Sequence, residues 1–356
     1  MSVLLTMLRI TVVLATALAI LPLLRRQSAA MRAWLLTAAL ASAALIPLLQ
    51  MVAPAWGSPL GASVTMPAAD DWSRSIVLIW AAGAAGHLVV LVAGLVRLMG
   101  VAAAADPIRE GRCADLALDI AAAHRVHAPV LLLQAERETP PVTWGHVQPK
   151  ILLPPAARNW DDERMRAVLL HEIAHVRRRD WAVQMFATVI RAIYWAHPLV
   201  WVVCSRLRFE CERACDDAVL RSGIPGSRYA AHLLDVARSA LDGRERPLAA
   251  GLAVRSTLEG RVRSMLVACL DRSPVRRPLA ALVGIVIFVI ATGVAGFGSV
   301  VDRERKITIP PPKRLTLLLD GRIVDLSKEW PTYPNPRAGL VEGPGFPGGF
   351  QTRTNH

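Results

Sequence analysis

Two histidines four residues apart, His171 and His175, with Glu172 beside the first, form the string in this chain whose residue types and spacing speak most directly of chemistry. On a helix, the two imidazoles lie on one face, one turn apart, and both reach a single ion. Glu172 then stands close to a water on that ion. There a carboxylate can take a proton and later return it to a leaving amine. The plain alternative is an ordinary helix that carries these residues by chance. A catalytic zinc takes three protein donors and leaves one position open, so a third donor is required. The run Glu210–Cys211–Glu212–Arg213–Ala214–Cys215–Asp216–Asp217 offers one, with Glu212 as the expected ligand. Asp216, one turn on, shares its face and is expected to hold the free N–H of a ligand histidine. Asp180 is a second candidate for that task. The bland reading of these acids is a solvated face paired with Arg206, Arg208 and Arg213. Cys211 and Cys215 are soft donors in principle, but neither belongs to a paired thiol motif, and both read as core residues. His197, Tyr229 and His232 are candidates for oxyanion or substrate contacts, each against the simpler account of a packed side chain.

The elements that must position these groups are legible nearby. Asp161, Asp162 and Glu163 begin a helix that runs through both histidines to about Arg178. A second helix carries Glu212 and Asp216 and ends near Gly223 and Pro225. Residues 149–154 read as a strand bounded by prolines. It is either part of a plain hairpin or the sheet edge along which a peptide docks.

The wider chain is too apolar for an ordinary soluble protein, with 53% hydrophobic and only 19% charged residues in 356. Apolar runs at about 3–24, 34–52, 76–101 and 277–301 read as four transmembrane helices. Arg9 in the first must then snorkel or face protein. The +13 formal charge fits loops facing anionic lipid, and no basic stretch is interleaved with exposed aromatics, so direct nucleic-acid binding is not expected. The first short loop holds Arg25, Arg26 and Arg32 and no acid, whereas the second opens its charges with Asp70 and Asp71. Positive-inside ordering makes the first loop cytoplasmic, and by parity residues 102–276 as well. A further apolar stretch, 181–204, is interrupted by Arg191, His197 and Pro198 and reads as re-entrant or interfacial. His87, within the third run, reads as an interhelical hydrogen-bonder. The tail, 302–356, is expected to hold one small hairpin at 315–324 and little other order. Five cysteines, an odd count in a region read as cytoplasmic, do not suggest disulfides.

His171 to Trp181, the segment Trp195–Ala196–His197–Pro198–Leu199–Val200–Trp201, and Glu212–Arg213–Ala214–Cys215–Asp216 together resemble the BlaR/MecR-type membrane metallopeptidases. So do Pro141–Val142–Thr143–Trp144–Gly145 and Pro149–Lys150–Ile151–Leu152–Leu153–Pro154. The resemblance covers most of the chain from the first apolar run to the fourth. It implies a multi-pass α-helical protein of the bacterial cytoplasmic membrane with an inserted α+β gluzincin-type zinc peptidase domain. It also implies one Zn²⁺ on His171, His175 and Glu212, and signal-dependent cleavage of a cytoplasmic protein such as a winged-helix repressor, or of the chain itself. Sensors of that family carry a penicillin-binding domain with a Ser-x-x-Lys motif. No such spacing occurs here, so β-lactam binding is not expected. Two other readings remain: a housekeeping membrane protease of the HtpX or prenyl-protease kind, and a non-catalytic membrane signalling protein.

Overall fold

Two apolar cores organise the chain, and one helix runs through both. The computed structural model describes residues 3–52, 71–241, 248–267, 270–275, 277–296, 316–319 and 322–325. In chain order the helices are α1 (Val3–Ile20), α2 (Ala29–Val52), α3 (Asp71–Ala104), α4 (Arg112–Ala123), α5 (Asp162–Arg178) and α6 (Asp180–Ile193). They continue with α7 (Pro198–Arg221), α8 (Gly226–Leu241), α9 (Leu248–Leu266) and α10 (Arg277–Gly296). The strands are β1 (Asp106–Ile108), β2 (Leu131–Gln134), β3 (Val142–Trp144), β4 (Lys150–Leu153), β5 (Thr316–Leu319) and β6 (Arg322–Asp325).

The first core joins α1, α2, α6, the first half of α7 and α10, through Leu14, Leu36, Leu40, Val203, Leu207 and Ile287. Among the described residues two helices are long and apolar enough to cross a membrane, within Ala29–Leu49 and Arg74–Ala104. The apolar stretches of α1 and α10, Leu5–Ile20 and Pro278–Val294, are shorter. Apolar side chains surround α3 and most are exposed, Val90 by 73%, the pattern of a helix facing an apolar medium rather than water. Arg9 is buried and faces protein.

The apolar stretch at 181–204 is not one helix. It is α6, a turn at 194–197, and the start of α7 with Pro198 in its first turn. Fourteen residues span only about 21 Å at 1.5 Å each, short of a hydrocarbon core of ~30 Å. The turn is held by α3. Trp80 donates its indole N–H to the Ile193 carbonyl (2.8 Å), and Trp195 donates to the Trp80 carbonyl (3.1 Å). The helices approach so closely that a Cβ on Gly83 would fall inside the Trp195 indole. His87 differs from its sequence reading. Its hydrogen bond goes to the Gly83 carbonyl on its own helix, and its ring meets Trp195 and Trp201.

The second core sits between α4, the sheet, α5, the end of α7, α8 and α9, with Ile151, Leu153, Leu169, Ile173, Val219 and Tyr229 at its centre. The sheet order is β1-β2-β4-β3, with β2 and β4 parallel and the outer pairs antiparallel. This corrects one sequence expectation. β4, in the 149–154 segment, has neighbours on both sides and offers no free edge, whereas β3 is an outer strand. The β3–β4 turn requires glycine: Gly145 has φ +93°, and a Cβ there would lie 2.8 Å from the Gln148 carbonyl oxygen.

The Asp161 carboxylate accepts from the Arg164 backbone N–H at 2.7 Å and caps the start of α5. Arg179, at φ +57°, turns the chain from α5 directly into α6. In the second unit, 300–356, β5 and β6 pair antiparallel with Leu319 opposite Arg322, the expected hairpin. The second interhelical loop at 53–70 and the rest of the tail lie outside the described residues.

The two cores are joined by a buried charge cluster. Glu210 on α7, fully buried, meets Arg32 on α2 at 2.9 Å, Arg206 at 2.7 Å and Arg213 at 3.6 Å. Arg32 also donates to the carbonyls of Leu24 and Gln27, tying the first loop to α7. Arg32, read from sequence as a loop charge, is thus a buried partner. Removing one member of a buried pair typically costs ~3–5 kcal/mol, because the remaining charge is left uncompensated. Glu210→Gln is therefore expected to lower the unfolding free energy in detergent by about 3 kcal/mol, measured by denaturant titration. A loss under about 0.5 kcal/mol, the scale of ordinary surface substitutions, would show that the cluster does not join the cores.

Candidate metal centre

The site lies where α5 and α7 cross. His171 and His175 project from α5 with their Nε2 atoms 3.2 Å apart. Glu212 on α7 places Oε2 3.5 Å from His171 Nε2 and Oε1 3.7 Å from His175 Nε2. The three donor atoms fall within 4.8 Å of one another. Zinc–ligand bonds of ~2.0–2.1 Å at a tetrahedral angle separate donors by about 3.3 Å, so the set fits one zinc ion. Two imidazoles and a carboxylate suit zinc better than calcium or magnesium, which favour all-oxygen shells.

Each histidine has a carboxylate behind it. His171 Nδ1 lies 3.2 Å from Asp216 Oδ1 and 2.9 Å from the Tyr229 hydroxyl. His175 Nδ1 lies 3.0 Å from Asp180 Oδ2. Such contacts fix ring orientation and leave Nε2 free to ligate. The αL turn at Arg179 makes the second one possible, because it starts α6 on Asp180 directly beside the last turn of α5.

A residue that sequence reading missed completes the arrangement. Arg261 on α9 donates Nε and a terminal NH2 group to the two oxygens of Asp216 (2.8 and 2.7 Å), and its other terminal nitrogen lies 3.0 Å from Glu212 Oε2. Burial opposes charge on Asp216, but Arg261 and His171 outweigh it and hold the carboxyl down to about 2. Burial likewise opposes charge on Glu212, and Arg261 with the two imidazoles holds it well below the ordinary carboxylate range. The field of these acids also overcomes burial at His171, through Asp216 and Glu212, and pushes its pKa up to about 10. The pocket is thus a place where positive charge is stabilised. The only signal in sequence was indirect: two acids one turn apart on a half-apolar helix need a cation.

Glu172 is buried, and its Oε2 accepts from the Thr143 hydroxyl at 2.6 Å. Thr143 belongs to the outer strand β3, so the sheet edge touches the glutamate. All five side chains His171, Glu172, His175, Glu212 and Arg261 line a cavity of about 810 Å³. Its floor continues along Trp181, Gln184, Phe209 and Leu258. Glu212 keeps 32% of its side chain exposed there.

The remaining candidates are dispersed. Tyr229 is buried and donates to Asp216 at 2.8 Å, so its hydroxyl stands behind His171 rather than over the open side. His232 lines the cavity, with Nε2 3.8 Å from Glu163. His197 is not brought to the site. It packs against α1, with Nε2 3.0 Å from the Thr11 hydroxyl. Cys211 and Cys215 are buried, and burial pushes both thiols up, Cys211 to about 12. Cys215 lies 3.3 Å from His175 Nδ1 and 3.4 Å from Asp180, behind the imidazole.

The profile of the BlaR1 peptidase M56 family matches residues 3–265 of this chain. A 98-residue stretch is 35% identical to the regulatory protein BlaR1 of Bacillus licheniformis, covering 28% of this chain and 16% of that protein. Stretches of 82 residues are 28% identical to the methicillin resistance mecR1 proteins of Staphylococcus aureus and Staphylococcus epidermidis, covering 23% of this chain and 14% of each relative. The matched regions are therefore about a sixth of the length of those relatives.

Purified protein is expected to hold about one zinc, and His171→Ala and Glu212→Ala to lose it, by elemental analysis. Asp216→Asn is expected to keep zinc at saturation but with ~10–100-fold weaker affinity in chelator competition. Zinc lost in His171→Ala alone would mean that Glu212 is not the third donor.

Proposed function

Because the chain belongs to the BlaR1 peptidase M56 family, we propose that it is a zinc endopeptidase anchored in a membrane by several helices. His171, His175 and Glu212 are its metal ligands and Glu172 its general base, a gluzincin-type arrangement. The carrying observation is the convergence of three donor atoms within 4.8 Å on the wall of a cavity of about 810 Å³ that also contains Glu172. Zinc bound there supplies Lewis acidity toward a carbonyl oxygen and a more acidic water.

The chain's own residues do the rest. Asp216 and Asp180 hold the two imidazoles in the ligating tautomer, and Arg261 keeps Glu212 and Asp216 ionised. The Thr143 hydroxyl binds one oxygen of Glu172 and leaves the other to accept a proton from water and pass it to the departing amine. A substrate chain adds to β3 as an extended strand, which brings a peptide bond alongside Glu172. The cavity, open and largely apolar, suits a polypeptide segment better than a small polar metabolite.

Membrane anchoring is supported by the two long apolar helices α2 and α3 and by α1 and α10, which pack in the same core. The arginine-rich first loop and the arginine-dense segment 102–276 support an active site on the cytoplasmic side of a bacterial inner membrane. The relative named as a regulatory protein supports a role in signal-dependent control, and the substrate in this reading is a cytoplasmic protein, a winged-helix repressor or the chain itself. Glu172→Gln is expected to retain zinc and lose cleavage by roughly 10²–10⁴-fold. The measurement is fragment formation, by mass spectrometry, from a co-expressed candidate repressor and from the chain itself. Full cleavage by the variant would overturn the mechanism.

A further inference from the structure

Beside the metal centre, between α5 and α7, lies a second cavity of about 150 Å³. Its rim carries Arg177 and Arg178 from α5, Arg221 from α7 and His124 from the end of α4. Three guanidinium groups face one carboxylate, Asp217, and that acid already lies 3.4 Å from Arg272. Arg178 is engaged by Asp180 at 3.1 Å. Arg221 donates to the Arg272 carbonyl, and neither it nor Arg177 forms an ion pair with a carboxylate among the described residues. Arg177 and Arg221 are exposed at the mouth of the cavity, where their guanidinium groups are available to an anion. His124 reports the same field: burial, then Arg177, Arg221 and Arg166, hold its pKa below the ordinary value.

Apolar side chains also line the cavity: Ala30, Ala174, Ala214, Ala218 and Val275. Ala30 is in the first turn of α2, and Val275 stands two residues before α10, so the cavity opens where two apolar helices begin. Arginines and apolar side chains lining one cavity at that level match a phospholipid better than a free ion. Arginine forks also suit phosphate oxygens. One water needs only ~10–15 Å³ of such volume, so the space accommodates a phosphate group.

We propose that this cavity binds a phosphate group, delivered by the headgroup of an anionic phospholipid, between the two helices that carry the metal ligands. The inference rests on the membrane placement proposed above but not on catalysis. Ala174 lies between His171 and His175 in sequence, and Ala214 between Glu212 and Asp216. An occupant therefore braces α5 against α7 within about one helical turn of the proposed ligands.

The test is thermal unfolding of the full-length zinc-loaded protein in a neutral detergent, with short-chain phosphatidylglycerol, short-chain phosphatidylcholine or inorganic phosphate added. Phosphatidylglycerol at about a hundred times its dissociation constant is expected to raise the midpoint by roughly 3–4 °C. Phosphatidylcholine is expected to do much less, and Arg177→Gln/Arg221→Gln to lose the response while keeping zinc. Arg238→Gln/Arg263→Gln, with the same charge change away from the cavity, is expected to retain it. Equal stabilisation by millimolar inorganic phosphate would keep the phosphate site and assign it to a free anion. No preference for phosphatidylglycerol or phosphate over phosphatidylcholine, or equal loss in the control variant, would overturn the proposal. If the cavity variant fails to fold, native mass spectrometry of wild type from mixed lipid decides. One retained phosphatidylglycerol per chain supports the site, and none removes it. Zinc content and cleavage are measured apart from these readouts, so failure here leaves the peptidase reading standing.

Discussion

Two carboxylates one turn apart on a buried stretch of α7, Glu212 and Asp216, set the problem that the rest of this molecule solves. Asp216 is buried and Glu212 stands close to it on the cavity wall, so each disfavours the other's charge, and a protonated pair would attract a cation far less. Arg261 resolves this with a planar fork that reaches both acids at once. That requirement fixes the course of the chain after α7, because α8 and α9 must fold back until a guanidinium forty-five residues after Asp216 meets it. On the way, α8 brings Tyr229 to the same oxygen and to His171. The candidate metal ligands are thus the front of a charge network whose back is closed by protein.

The same logic recurs at each depth of the chain. Asp180 would be a costly buried acid without His175 and Arg178. Burial works against it, but those two partners hold its pKa below the ordinary value. Glu210 is buried completely among three arginines where the two cores meet. A buried pair need not add stability over apolar packing, but it does demand one geometry. α7 carries Glu210, Glu212 and Asp216 within seven residues, so it is placed by its charges as firmly as by its apolar contacts.

What the sequence made legible was local. The spacing of His171, Glu172 and His175, the capping acids at 161–163, and the one-turn relation of Glu212 and Asp216 are all properties of a single helix, and i,i+4 geometry holds before any tertiary contact forms. Arg261 and Thr143 were not legible in these roles, because each is joined to the site only by packing across many residues. The edge of the sheet was misplaced for the same reason. Strand character belongs to residues 150–153 themselves, but whether a strand is central depends on what pairs with it, and β3 and β2 take both sides. The stretch 181–204 showed its interruption at His197 and Pro198. What sequence could not reveal is that Trp80, from an element far away in the chain, would satisfy the Ile193 carbonyl at the break and accept the Trp195 indole N–H on its own carbonyl.

The last of those contacts has a mechanical side. Thirty-four helical residues make α3 a rod of about 50 Å, and its ends meet different things. Gly83 is seated against Trp195, while Leu98 and Ala102 pack on Leu133, Trp144 and Leu152 of the sheet. The distance between those two contacts along the helix is roughly 25 Å. A rod pivoting on the first contact by only ~3° carries the second through about 1 Å, and a misplacement of that size near reacting groups can change a rate a hundredfold. Trp144 adjoins Thr143, and Thr143 holds Glu172. Angular motion of a helix in its surroundings would thereby be converted, by lever arm alone, into a displacement at the Glu172 carboxylate.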